Sequence, residues 1–281
     1  MTNTGIIGLI LIIVTIVFSY KGFNSGLFFD RYTFEVDRVL IDKDYKRLIT
    51  SGFLHVSWGH LLFNMFSLYA FSGIVENSLG SLKFIIIYFT SLVGGNLLTL
   101  FIHRNHGDYS AVGASGAICG VMFASVALFP GLGIGFFLLP LSIPSWLYAI
   151  FFVLYSIYGI KSNKSNIGHE AHLGGALVGM AVALIMVPSA FIDNYVTILI
   201  ILVPSVTFIY LIITRPHILL IDNFYYKEHK NFYSIEHKYN AEKMSTQQEI
   251  DKVLDKINKR GMGSLSKKER EMLEEYSKTL R

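Results

Sequence analysis

The stretch Gly113-Ala114-Ser115-Gly116 opens an uncharged run that continues as Ala117-Ile118-Cys119-Gly120-Val121-Met122-Phe123-Ala124. Downstream, Ala171-His172-Leu173-Gly174-Gly175 opens a second apolar run. Each run is long enough to read as a membrane helix, so a hydroxyl and an imidazole each stand at the mouth of one. Polar side chains at membrane depth need partners, and they are either helix-packing groups or chemistry. A lone membrane serine is ordinarily a small packing residue. Gly113 and Gly116 change that reading, because they allow a tight turn and a close approach to Ser115. The amides of Ala114 and Ser115 fall near a helix N-terminus, where unsatisfied N–H groups favour a developing negative oxygen.

Outward from these two runs, the composition agrees with a membrane setting. The chain has 281 residues, of which 52% are hydrophobic and 16% charged, with a mean hydropathy of +0.49. Soluble domains carry about a quarter charged residues. Stretches of ~17–25 apolar residues cross a ~30 Å hydrocarbon layer as helices. Seven are expected, near 4–20, 57–76, 83–102, 113–129, 145–160, 170–187 and 194–214. The run from Ile6 to Phe18 lacks a basic leader and a small-residue cleavage site, so it reads as a retained span. Pro188 stops the sixth span, and Pro204 inside the seventh predicts a kink. The fold class is therefore all-α: a polytopic membrane helix bundle in residues 1–214, with an extramembrane tail in 215–281.

The connections differ in character. Residues 21–54 are rich in Phe, Tyr, Leu and Val, so part of this loop packs on the bundle or dips into the interface. Residues 131–144 carry no charge and are broken by Gly and Pro, which reads as an interfacial connection. The tail holds 14 of the 24 Lys and Arg beside 11 acidic residues. That mixture is not a nucleic-acid-binding stripe. Ile250, Val253, Leu254 and Ile257 fall at helical spacing with Gly261 as a stop, and Ser266-Lys267-Lys268-Glu269 reads as a capping box opening a second helix. The expected tail is a small helical hairpin with no partner that the sequence identifies. The single Cys119 excludes an intrachain disulfide.

His172 would ordinarily be a satisfied bundle histidine. It shares a helix face with Gly175 and Gly179, while the fourth span offers Gly116 and Gly120. Helices meeting through such Gly-x-x-x-Gly pairs approach closely, which would bring Ser115 and His172 into hydrogen-bond reach. The second span adds His55, His60 and Asn64, and the last two lie one helical turn apart. A His–Asn pair can simply lock helices together; beside a candidate nucleophile, two aligned donors are what an oxyanion hole requires. His169-Glu170-Ala171-His172 approximates a zinc-peptidase helix motif but spaces its histidines three apart instead of four, so no metal or other cofactor is expected.

Taken in order, His55, His60-x-x-x-Asn64, Gly73-Ile74-Val75-Glu76, Leu79-Gly80-Ser81, Gly113-Ala114-Ser115-Gly116 and Ala171-His172-Leu173-Gly174-Gly175 with Gly179 resemble the rhomboid family of intramembrane serine proteases. The resemblance covers about residues 1–190. It implies a six-helix core plus one C-terminal helix, and an endopeptidase acting on transmembrane protein substrates within the lipid bilayer. Ser115 would be the nucleophile and His172 the general base and acid. His60, Asn64 and the Ser115 amide would hold the oxyanion. Gly113, Gly116, Cys119, His55, Gly175 and Gly179 would support the site. Arg47 matches the family's loop arginine, whereas Lys46 stands where a tryptophan is usual. Cys119 stands where some members pack an aromatic ring on the histidine. A catalytically silent relative that escorts membrane helices is the competing reading, and retention of both Ser115 and His172 argues against it. A transporter predicts intramembrane charges in paired half-spans, which the sequence lacks. Counting lysines and arginines favours a cytoplasmic active-site face, but long tails translocate regardless of charge. The resemblance implies an extracytoplasmic face, and we take that, in the cell membrane, as the expectation.

Overall fold

In the computed structural model the described residues are 5–136, 139–162 and 167–214, together with 253, 256, 257, 265 and 266. The chain divides into two compact units, Met1–Lys230 and Asn231–Arg281. In the first, eleven α-helices follow in order among the described residues. They are α1 (Ile6–Asn24), α2 (Gly26–Tyr32), α3 (Val36–Leu40), α4 (Arg47–Thr50), α5 (Trp58–Leu79), α6 (Ser81–Ile102), α7 (Ser115–Leu128), α8 (Ser145–Ser162), α9 (His169–Met186), α10 (Ser189–Asp193) and α11 (Tyr195–Thr214).

The seven long helices coincide with the seven expected spans. Four of them, α1, α6, α9 and α11, are long and apolar enough by themselves to cross a membrane. α5 and α8 are less apolar on average, yet each turns large apolar side chains outward: Leu62, Phe63 and Phe66 on α5, Phe151 and Leu154 on α8. Such a surface faces lipid rather than water. α7 is different. From Gly116 to Ala127 every residue is buried, because α7 is enclosed by its neighbours α6 and α9. Its 14 residues span about 21 Å at ~1.5 Å per residue, less than a ~30 Å hydrocarbon layer. α7 is therefore too short to reach across such a layer from end to end.

Local sequence explains the main boundaries. Ser57 caps α5, its hydroxyl accepting the amide of His60 at 3.2 Å. Gly80, at φ +86°, ends α5 and turns the chain directly into α6. The uncapped start of α1 is closed from another helix: Glu76 accepts the amides of Ile7 and Gly8, each at 3.0 Å, and the Ser81 hydroxyl at 2.8 Å. Asn194 donates to the carbonyls of Ala127 and Leu128 at 2.9 and 3.3 Å, covering the end of α7.

The first loop packs on the bundle, as its composition implies. It folds into α2, α3, α4 and a 3-10 turn at Ser51–Phe53. A short strand, β1 (Phe34–Glu35), pairs antiparallel with β2 (Ser110–Ala111). Phe34, Val36, Val39 and Leu48 form a small separate core against Leu100 and Tyr109. The connection at 131–144 is a β-hairpin, β3 (Gly133–Phe136) and β4 (Leu139–Pro144), with a register shift at Gly135/Phe136. Strand pairing satisfies backbone groups that an uncharged loop near lipid could not leave open. In the second unit Val253, Lys256 and Ile257 are helical and Val253 and Leu265 are buried. The rest of the expected tail hairpin lies outside the described residues.

Candidate active site

α9 runs against α6 and α7, and small residues make that approach possible. Gly175 lies against the backbone of Gly116, and Gly179 against Gly120, so closely that a Cβ on either α9 glycine would overlap the α7 backbone. On the other side Gly95 of α6 meets the Ala171 carbonyl. Backbones at such range fix the rotation and height of α9 relative to α7. The first turns of both helices then stand side by side. Ser115 Oγ lies 2.7 Å from His172 Nε2, and both residues are half-buried. With Nε2 unprotonated, the serine hydroxyl donates and the imidazole accepts.

Gly113 occupies φ +134°, where L side chains are strained. A Cβ there would also stand about 3.0 Å from the His60 ring and 3.8 Å from Ser115 Oγ. His60, Gly113 and Ser115 thus border one small space. The Gly113 amide donates to the Ser51 carbonyl at 3.0 Å. Ser51 in turn takes a hydrogen bond from Asn96 of α6 (3.2 Å), which also reaches the Leu48 carbonyl (2.8 Å). The first loop therefore clamps the turn that presents Ser115. Ala114 makes no side-chain cap on α7, so no cap side chain covers the positive end of the helix beside Ser115.

The other residues singled out by sequence are placed as follows. His55 is fully buried, its Nδ1 2.9 Å from Ser19 Oγ on α1, and its ring meets that of His60 edge-on at 4.8 Å. Asn64 is buried and donates to the His60 carbonyl at 2.9 Å, so one of its N–H bonds points back along its own helix. Cys119 is buried one turn below Ser115. Arg47 is buried in the first loop, where it donates to the Asp30 and Thr33 carbonyls and to Asp44. Glu170, weighed in the sequence only as part of a metal motif, pairs with His103 at 3.3 Å, both side chains being buried. The aromatic neighbour of His172, unmarked in the sequence, is Phe152 of α8 with ring centroids 6.2 Å apart. Phe152 is one of several aromatics on α8, and nothing in its spacing singles it out.

The fold and these contacts define a polytopic helix bundle with a serine–histidine pair at helix mouths. The rhomboid domain family model matches residues 42–189, and the chain belongs to the rhomboid family. Among curated relatives it is 27% identical over 190 residues to RHOMBOID-like protein 12, mitochondrial, of Arabidopsis thaliana (62% of this chain, 55% of that protein). It is 30% identical over 149 residues to Rhomboid protein 1, mitochondrial, of Saccharomyces cerevisiae (50% and 43%). It is 41% identical over 78 residues to Putative rhomboid protease YdcA of Bacillus subtilis (28% and 38%). The chain spans about half the length of the curated relatives it matches. Residues 233–279 match a family of unknown function, DUF6576. Membership and the apolar helices together make this an integral, multi-pass membrane protein.

Proposed function

We propose that the chain is an intramembrane serine endopeptidase that cuts transmembrane protein substrates through a Ser115–His172 dyad. The 2.7 Å contact between Ser115 Oγ and His172 Nε2 carries this reading. His172 takes the hydroxyl proton as Oγ attacks the scissile carbonyl, and returns it to the leaving amine. Water then hydrolyses the acyl-enzyme by the same proton route. The negative oxygen of each tetrahedral intermediate falls to the Ser115 amide, His60 and the second N–H of Asn64. His55, Gly113, Gly116, Cys119, Gly175 and Gly179 support the site in this reading.

A substrate helix suits the setting, because the outward faces are apolar and α7 is too short to carry its ends beyond both sides of the membrane. The reading keeps the active-site face extracytoplasmic and the enzyme in the cell membrane, with the tail binding a partner of its own. Purified wild type and the variants Ser115→Ala and His172→Ala, incubated with a model transmembrane substrate, test it. Cleavage by wild type alone is expected. Cleavage by either variant would overturn the dyad, and wild type that binds the substrate without cutting would make the chain a helix-escorting relative.

A further inference from the structure

An imidazole that makes one hydrogen bond is still free to turn about its terminal torsion, which is broad and roughly two-fold. A base must nevertheless present its lone pair along the serine O–H. Cys119, one turn below Ser115, carries no ring to stack on the imidazole. The contact comes from α8 instead. The Phe152 ring lies 6.2 Å from the His172 ring at an interplanar angle of 34°. Phe152 is itself held on two sides, by Phe123 of α7 at 5.3 Å and by Tyr148 one turn earlier at 6.2 Å.

The same face of α8 meets α9 again near its N-terminus. Tyr155 meets the His169 ring edge-on at 5.0 Å. Gly159 leaves the space that the His169 ring occupies, since a Cβ at 159 would overlap it. Positions 152, 155 and 159 are spaced three and four apart, which puts them on one helix stripe. His169 and His172 have the matching spacing on α9, with ring centroids 6.2 Å apart. One stripe of α8 thus packs on two successive imidazoles of α9.

We infer that Phe152 is a positioning residue that aims the His172 imidazole at Ser115, so that the seating of α8 on α9 sets the alignment of the dyad. The inference rests on the serine endopeptidase reading above. Phe152 lies against the ring of the base and acts through it, so its loss acts on turnover rather than on substrate affinity.

The test compares purified full-length wild type with Phe152→Ala, Phe152→Leu and Phe152→Tyr. It measures kcat and KM on a model transmembrane substrate, and the rate of inactivation by a small fluorophosphonate. Misalignment of a reacting pair by ~1 Å costs on the order of 100-fold. Phe152→Leu, which keeps bulk without a ring, is expected to lose about 10-fold or more in kcat and in inactivation rate, with KM changed less than about two-fold. Phe152→Tyr restores both rates. Thermal unfolding identifies whether Phe152→Ala has lost its fold, and Phe152→Leu keeps the question decidable if it has. Wild-type rates in Phe152→Leu, or a loss confined to KM, overturn the inference alone. Wild type that takes no phosphonate overturns the dyad reading and this inference with it.

Discussion

Arg47 buries its guanidinium beneath the first loop, where it donates to the carbonyls of Asp30 and Thr33 and to Asp44 Oδ2 at 3.0 Å. Lysine keeps the charge but not the planar fork that reaches three acceptors. Arg47→Lys should therefore lower stability by about 1–3 kcal/mol, read as a drop in Tm. Burial alone would raise the Asp44 carboxyl, but hydrogen bonds from Arg47 and Lys46 outweigh it and hold the group below its ordinary 3.8. A depressed carboxylate stabilises the fold above its ordinary value, and that stability is lost as pH falls through the lower folded value. Asp44→Asn should flatten the fall of Tm below about pH 4. Glu35 behaves in the opposite sense. Burial raises it above 4.5 despite Arg38 and Arg47, so its favourable protonated form is lost as pH rises through the folded value. Glu35→Gln should raise Tm at neutral pH and leave it unchanged well below pH 4.5.

Among elements, the contact of α7 with α9 decides the site. Gly175 and Gly179 press on the backbones of Gly116 and Gly120, which no rotamer change can move aside. Gly175→Ala or Gly179→Ala should cost at least ~1–3 kcal/mol and push α9 away from α7. Because Ser115 and His172 sit at the mouths of these helices, cleavage should fall more steeply than Tm does. This contact was legible in the sequence. Glycines four apart on two apolar runs have few other uses, and both runs begin with a chemically active side chain. Spans were legible for the same reason, since seven apolar runs of this length have few alternatives to helix. The hairpin at 131–144 was not, because Gly and Pro in an uncharged run read equally as loop. Glu76 stood out only as part of a motif; that its carboxylate closes α1 depends on a packing across 68 residues. Phe152 was invisible for a like reason, being one aromatic among many on an apolar helix until α9 is laid beside it.

Across the whole molecule, apolar side chains cover the outward faces of α1, α5, α8 and α11, so the bundle meets lipid on many sides and its orientation becomes a question of which loops lie where. Charge counting and family resemblance give opposite answers for the active-site face. The tail decides between them, since an odd number of spans separates it from the N-terminus. Cys119 is buried, so a cysteine introduced at the C-terminal end reports with little background. We expect a membrane-impermeant maleimide to label it in intact cells; labelling only after lysis would put the active-site face in the cytoplasm. The dyad itself faces a more direct test, which is to treat purified protein with a fluorophosphonate and map the adduct by mass spectrometry. A single adduct on Ser115 that disappears in His172→Ala is expected. An adduct on Ser115 that persists at the same rate without His172, or none in the wild type, would contradict the dyad.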